Sequence, residues 1–212
     1  GCGKTTLLKM IAGIEEPSEG EIRIEDSPIS GPNDDIAMVF QDFQLLPWKS
    51  LQANIEVALE VQEELDKQTR ADRARTWLRR VGLDDFADSY PRELSGGMKQ
   101  RVGLARALAV DPKILLMDEP FGSLDAQTKD RLQTELLELW ADQRKTILFV
   151  THDIDEAIFL ADRVLVLSPK PASIVGEVSV DIDRPRYNRR LEVEQSDEFS
   201  RAKRYLRDCI GL

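Results

Sequence analysis

The chain has 212 residues, 42% hydrophobic and 32% charged, with a net charge of -10. That length buries a real core, enough for one domain or for one domain with a smaller insertion. The acidic balance argues against a general nucleic-acid binder, which carries a basic face, and no nucleic acid is expected as a partner.

Cys2 and Cys209 stand far apart with no ligand cluster around either, which fits reduced thiols rather than a disulfide framework. Apolar runs such as ILLM and ILFV are far short of a membrane span. No signal peptide is visible.

The first residues, GCGKTT, match the end of the phosphate-loop pattern G-x-x-x-x-G-K-S/T, with Gly3, Lys4 and Thr5 in its last positions. A start inside a glycine loop without Met reads as a fragment. Without the strand that should lead into the loop, such a fragment is expected to fold and to bind ATP poorly. Gly1 and Gly3 allow a backbone approach that a Cβ would block. Lys4 would neutralise β/γ-phosphate charge, and Thr5 would place its hydroxyl on Mg2+. Gly1, Cys2, Gly3, Lys4, Thr5 and Thr6 are thus the expected nucleotide-binding set, at the start of a helix whose dipole favours anions.

The apolar spacing of LLKMIAGI continues that helix up to the turn-rich EEPSEG. EIRIED (residues 21–26) alternates as an exposed strand, DSPISGPNDD reads as loop, and IAMVF (36–40) as a buried parallel strand. Between Asp42 and Glu93 the strand signal fades. LQANIEVALEVQEEL and RADRARTWLRRVGL read as amphipathic helices of an inserted subdomain.

Strand–helix alternation then resumes. KILLM (113–117) and TILFV (146–150) read as buried strands. DAQTKDRLQTELLELW reads as a helix with Leu132, Leu136, Leu137 and Trp140 on one face, and Ile154, Ala157, Ile158 and Ala161 stripe the next. RVLVLS and SIVGEVSV are expected to finish the sheet, and DRPRYNRRLEVEQSDEF to form a polar, peripheral tail before a last short helix. The pattern predicts an α/β fold with a mainly parallel sheet. Its expected divisions are 1–41 and 94–183 for the two parts of the core, 42–93 for the helical insertion and 184–212 for the tail.

Four polar residues fall just past three buried strands, the end at which ligands bind in open parallel sheets. In KILLMDEP, Asp118 would hold the Mg2+ shell and Glu119 would take or polarise a proton from attacking water. Gln41 follows IAMVF, in reach of metal or water, and His152 follows TILFV, where an imidazole N–H can donate to a γ-phosphate. Elsewhere, ELSGGMKQRVGLARAL (93–108) places Ser95 as a helix N-cap before Gly96 and Gly97, a second anion site built of backbone N–H groups.

The order Lys4, Gln41, LSGG, DE, SLD, His152 resembles the ATP-binding cassette family over nearly the whole chain. By that resemblance the fold is a P-loop ATPase core with a small antiparallel β region and an inserted α-helical subdomain, and the cofactors are ATP and Mg2+. The resemblance also implies that Ser95, Gly96 and Gly97 close over ATP bound by a second subunit in a head-to-tail dimer. Asp125, in SLD, would lie across that interface.

Positions 4 and 95 leave no room for the long coiled coil of the DNA-repair relatives. FQDFQLLPWKSLQANIEVAL resembles the importer groove that receives a coupling helix from an integral membrane permease. VFQDFQLLPW and VLVLSPKPASIVGEVSVDIDRPR look most like the nitrate, sulfonate and taurine group, although Ala172 and Ser173 stand where that group often has a glycine and a basic residue. The expected protein is the ATP-hydrolysing subunit of an importer for a small anionic nutrient. It would be peripheral on the cytoplasmic face of the membrane and served indirectly by a solute-binding protein. The alternative is a non-transport cassette that clamps a protein or nucleic acid by ATP-driven closure.

Overall fold

The chain is described over residues 2–62 and 64–211 in a computed structural model. Helix α1 (Lys4–Ile11) follows the glycine loop and ends at Gly13, whose φ is 71°. A Cβ there would lie 2.0 Å from the Gly31 carbonyl oxygen, so no larger residue fits. The strand expected over 21–26 is a short hairpin instead. β1 (Arg23–Ile24) and β2 (Ser27–Pro28) pair antiparallel around Glu25 and Asp26, both at positive φ (47° and 65°). A two-residue hairpin turn of this kind needs both central residues left-handed.

Strands β3 (Ile36–Val39), β4 (Ile114–Asp118) and β5 (Thr146–Val150) form a parallel sheet with β4 in the centre. Side chains alternate across a strand, and here the alternation sorts them cleanly. Leu116 packs with Leu8 of α1 and with Ala12 just beyond it, joined by Ile36, Met38, Ile114, Leu148 and Val150. Leu115 and Met117 belong to the larger core on the other face, where Ala37, Ile147 and Phe149 pack. By the same parity Asp118 lies on the face of Leu116, the one covered by α1.

Between β3 and β4 come α2 (Leu51–Leu59) and α3 (Lys67–Arg80), then 3-10 turns at Asp84–Phe86 and Pro91–Glu93, then α4 (Gly96–Ala109). The first expected helix of this region stops at Leu59, and the second begins earlier, because Asp66 caps it by accepting from Thr69 N. Asn54, buried in α2, accepts from Leu46 N (2.7 Å) and donates to the carbonyls of Leu46, Lys49 and Ser50, pinning the loop that enters the helical region. α4 packs on α2 and α3 and also touches β3, so the helical layer and the sheet share it.

The long helix α5 (Ala126–Gln143) buries Leu132, Leu136 and Leu137 as expected, with Trp140 half-buried beside them. Helix α6 (Ile154–Leu160) follows β5. β6 (Arg163–Leu167) and β7 (Ile174–Ser179) do not extend the central sheet: they pair antiparallel with each other as a separate sheet. Apolar residues say that a strand is half-buried but not which neighbour it takes.

The C-terminal segment is polar but not peripheral. After α7 (Arg190–Glu194), α8 (Asp197–Ile210) runs for 14 residues and buries Phe199, Ala202 and Leu206 against α6 and β7. Arg186, at 1% exposure, is the anchor. Its guanidinium donates to the carbonyls of Ile158, Phe159, Ala161, Val180 and Ile182. A composition reading counts arginine as surface, and so misses one whose hydrogen bonds all go to backbone carbonyls, with the Asp162 carboxylate 3.7 Å away.

Candidate active site

The sheet register explains how the site assembles. Asp118 pairs with Val150, and Glu119 N donates to Val150 O at 3.0 Å. Glu119 and His152, which follow these residues, therefore leave the sheet side by side. His152 Nδ1 lies 2.9 Å from Glu119 Oε2. An ionised Glu119 can only accept, so Nδ1 carries the proton in this arrangement. Glu119 has a positive φ of 44°, which turns it out of the strand alternation. Phe121, Gly122, Leu124, Lys129, Thr151 and Glu156 complete the walls of a cleft of about 80 Å3 around the pair.

Asp118 points to α1, as its parity requires. Its Oδ2 accepts from the Thr5 hydroxyl at 2.7 Å. Thr5 and Asp118 thus offer two hard oxygens at one point. That set suits a Mg2+ ion, which is held by one or two protein oxygens and takes the rest of its shell from phosphate and water. Among the described residues no group of three or more His, Cys, Asp and Glu forms a metal cluster, so an all-protein cage is not what this site provides.

The start of α1 suits phosphate for a related reason. Gly3, at φ 97°, precedes it without a side-chain cap, and the first intrahelical bond is Leu7 N to Gly3 O at 2.9 Å. The N–H groups of the first turn are left for a ligand. By contrast Ser50, Asp66, Ser95, Asp125, Asp153 and Ser196 each close their helix with a side chain. Lys4 lies half-buried beside the loop, its Nζ 3.8 Å from Cys2 Sγ, and Thr6 is exposed in the first turn. Gly1, expected in this set, lies outside the described residues. Gln41 is exposed two residues past β3; since Val39 pairs with Met117, it stands level with Glu119.

The second glycine site is arranged differently. Ser95 caps α4, accepting from Met98 N at 3.3 Å, and both Ser95 and Gly96 are exposed. Among the described residues, α4 makes no extensive contact with α1. Instead Gly96 and Gly97 abut α5 and the loop before it. A Cβ on Gly96 would meet Leu124 at 3.4 Å, and one on Gly97 would meet Thr128 at 2.8 Å. Asp125, also exposed, caps α5 by accepting from Thr128 N at 3.0 Å. Its hydrogen bonds from Thr128 hold its carboxyl below the ordinary aspartate value.

Two positions absent from the sequence reading shape the site. Arg106 of α4 donates to the carbonyls of Gln44 (2.8 Å) and Phe43 (3.1 Å), tying the segment after Gln41 to the helix of the second glycine site. Its only signal was a lone cation in the small, apolar run LARAL. Lys129 of α5 bonds Asp153 at 2.6 Å and lies 3.3 Å from the buried Glu156. Burial opposes its charge, but the Asp153 hydrogen bond and the Glu156 charge prevail and raise it above the ordinary lysine value.

An uncapped helix start, a hydroxyl–carboxylate pair at the end of the central strand and a carboxylate–imidazole pair beside it define a P-loop nucleotide hydrolase. The profile of the ABC transporter family matches residues 1–122, and the chain belongs to that family. It is 46% identical over 203 residues to the nitrate import ATP-binding protein NrtD of Synechocystis, covering 94% of this chain and 76% of that protein. It is 50% identical over 181 residues to the taurine import ATP-binding protein TauB of Yersinia pestis, covering 85% and 71%. Among solved structures it resembles the dimeric post-hydrolysis state of the ATP-binding cassette MJ0796 bound to ADP and Pi. There the TM-score is 0.73 at 32% identity, with 86% of this chain and 82% of that one covered. The chain is an ATP-binding, ATP-hydrolysing subunit of an ABC transporter.

Proposed function

We propose that this subunit powers uptake of a small anion of the nitrate, sulfonate or taurine kind, with Glu119 as the general base and Thr5 and Asp118 as the Mg2+ ligands. The observation that carries the reading is the convergence of two pairs, Thr5 with Asp118 and Glu119 with His152, at the C-terminal end of β4 and β5. Similarity to nitrate and taurine import proteins over most of the chain supports the solute class.

The residues divide the work as follows. The first-turn N–H groups of α1 and the Lys4 ammonium take up phosphate charge. Thr5 and Asp118 would hold Mg2+, which would supply positive charge to neutralise the phosphate. Glu119 Oε2 accepts a proton from water held in the adjoining cleft. In the present arrangement that oxygen is engaged by Nδ1–H of His152, which leaves Nε2 an acceptor, so His152 must gain a second proton or move its proton to Nε2 before it can donate to a phosphate through that atom. Gln41, level with Glu119, completes the water- and metal-facing wall.

Ser95, Gly96, Gly97 and Asp125 lie exposed or half-exposed around the start of α4 and α5, free to close over a nucleotide on a second subunit. That arrangement gives a two-fold head-to-tail dimer seated on an integral membrane permease at the cytoplasmic face, with a solute-binding protein delivering cargo. The test is reconstitution of the full-length subunit with its permease in vesicles. ATP-dependent accumulation of nitrate, taurine or an alkanesulfonate is expected; hydrolysis that moves none of the three anions would reject the solute class.

A further inference from the structure

We propose that Arg190 is a positioning residue for ATP hydrolysis, acting from the C-terminal segment through a buried polar chain that ends beside His152. The chain has four links. Arg190 donates through one guanidinium nitrogen to Gln133 Oε1 at 2.9 Å. Gln133, fully buried, donates through Nε2 to Glu156 Oε1 at 2.7 Å. Glu156, at 4% exposure, lies 3.3 Å from Lys129 Nζ, and Lys129 donates to Asp153 Oδ2 at 2.6 Å. Asp153 is the next residue after His152, and its other oxygen caps α6 by accepting from Asp155 N and Glu156 N.

Donor and acceptor chemistry gives this chain a direction. An arginine can only donate and an ionised glutamate can only accept, so Gln133 has a single workable orientation between them. The remaining guanidinium nitrogens of Arg190 are held by Asp130 at 3.0 Å and Glu194 at 2.7 Å, and the group stacks 4.4 Å over the Phe159 ring. Without Arg190 the buried Gln133 oxygen has no donor, and the amide is free to reverse and face Glu156 with its oxygen. Glu156 then draws Lys129 toward itself and off Asp153. The strut beneath His152 loosens, and with it the distance between His152 and Glu119. Lys129 also lies one turn beyond Asp125, so both walls of the cleft feel the change.

This inference rests on the catalytic reading of Glu119 and His152. The experiment uses the full-length protein in its assembled transporter and measures kcat, KM for ATP and melting temperature together. Arg190→Ala is expected to lower kcat about 3- to 30-fold with KM within about twofold. Gln133→Glu keeps the volume and the Arg190 bond but sets a second carboxylate against Glu156. It should give a similar loss, and the double variant should lose little more than either. Arg190→Lys, which restores one donor to Gln133, should recover most of the rate. Glu194→Gln disturbs the exposed side of Arg190 alone and should leave kcat unchanged.

A lower melting temperature with wild-type kcat in Arg190→Ala, or losses that multiply in the double variant, would overturn the proposal. If Arg190→Ala does not fold, Gln133→Glu and Arg190→Lys decide the matter by the same readouts. Glu119→Gln serves as the control. If it retains turnover, the catalytic reading fails; if it abolishes turnover while Arg190→Ala is normal, only the buried chain fails.

Discussion

Gly97 and Thr128 approach so closely that a Cβ on the glycine would stand 2.8 Å from the threonine methyl. The second glycine of LSGG is therefore required by its own subunit, apart from any phosphate it grips on a partner. Gly97→Ala is expected to cost about 1–3 kcal/mol of overpacking, partly offset by up to about 1 kcal/mol of helix propensity. Adding Thr128→Ser removes the methyl and should restore the melting temperature. If Gly97 grips the partner's nucleotide as proposed, hydrolysis should stay depressed in the double variant, because alanine would still crowd the phosphate; full recovery of both would assign the glycine to packing alone.

Glu119→Gln keeps size and shape but cannot take a proton. Single-turnover measurements should show ATP bound with near wild-type affinity and hydrolysis slowed by about 10^2- to 10^4-fold. A rate within a few-fold of wild type would remove Glu119 from the role of base.

Thr5→Val keeps the volume of the side chain and deletes the hydroxyl that meets Asp118. ATP affinity measured in Mg2+ should fall toward the value measured in EDTA, while affinity in EDTA itself should hardly move. Equal losses under both conditions would mean that Thr5 supports the loop rather than the metal.

Asp153 and Lys129 predict a two-sided pH profile. Burial alone would raise the Asp153 carboxyl, but hydrogen bonds from Lys129 and the first amides of α6 hold it below the ordinary aspartate value. Its stabilisation is therefore present above the unfolded value of 3.8 and is lost as pH falls through the lower folded value. Lys129 is raised, so its share is present below 10.5 and is lost as pH rises through the higher folded value. Denaturant titrations of Asp153→Asn and Lys129→Met across pH should flatten the acid and alkaline limbs respectively. Unaltered limbs would show that the pair is not linked to folding.

Arg186→Met fills similar space but leaves the carbonyls around it without donors. Burial, with Arg184 and Arg189 nearby, pushes the Arg186 guanidinium down to about 10, so it remains charged at neutral pH. Each buried carbonyl left unsatisfied costs about 1–3 kcal/mol, so a loss of about 3–5 kcal/mol is expected, a fall of roughly 6–20 °C in melting temperature at about 2–4 °C per kcal/mol. A shift under about 2 °C would show that water replaces the lost donor.

Much of the site could be read before the fold was known, because its residues lie where short apolar runs stop. Asp118 ends, and Glu119, Gln41 and His152 follow, strands whose composition marks them as buried, and a parallel sheet brings such ends together. The helix cap at Ser95 was legible for a similar local reason; Asp125 entered through the family resemblance, and its cap on α5 emerges only from the structure. What the sequence hid was pairing. Nothing in RVLVLS or SIVGEVSV says that these strands choose each other over the central sheet. Nothing in the polar tail says that Arg186 will be surrounded by carbonyls. Arg106, Lys129 and Arg190 were equally silent, since a cation reveals its role only once its partners are in place.

The loop beyond Gln41 is fastened twice to the helical layer, by Arg106 to the carbonyls of Phe43 and Gln44 and by Asn54 to Leu46. Residues 43–54 are therefore tied to α2 and α4 rather than to the sheet alone. The sheet holds the chain as far as Val39. Any swing of the helical layer against the sheet must then be taken up, on this side, by the three residues Phe40, Gln41 and Asp42. Gln41 sits at the middle of that pivot, so a swing of the helical layer would be expressed there as a change of backbone angle.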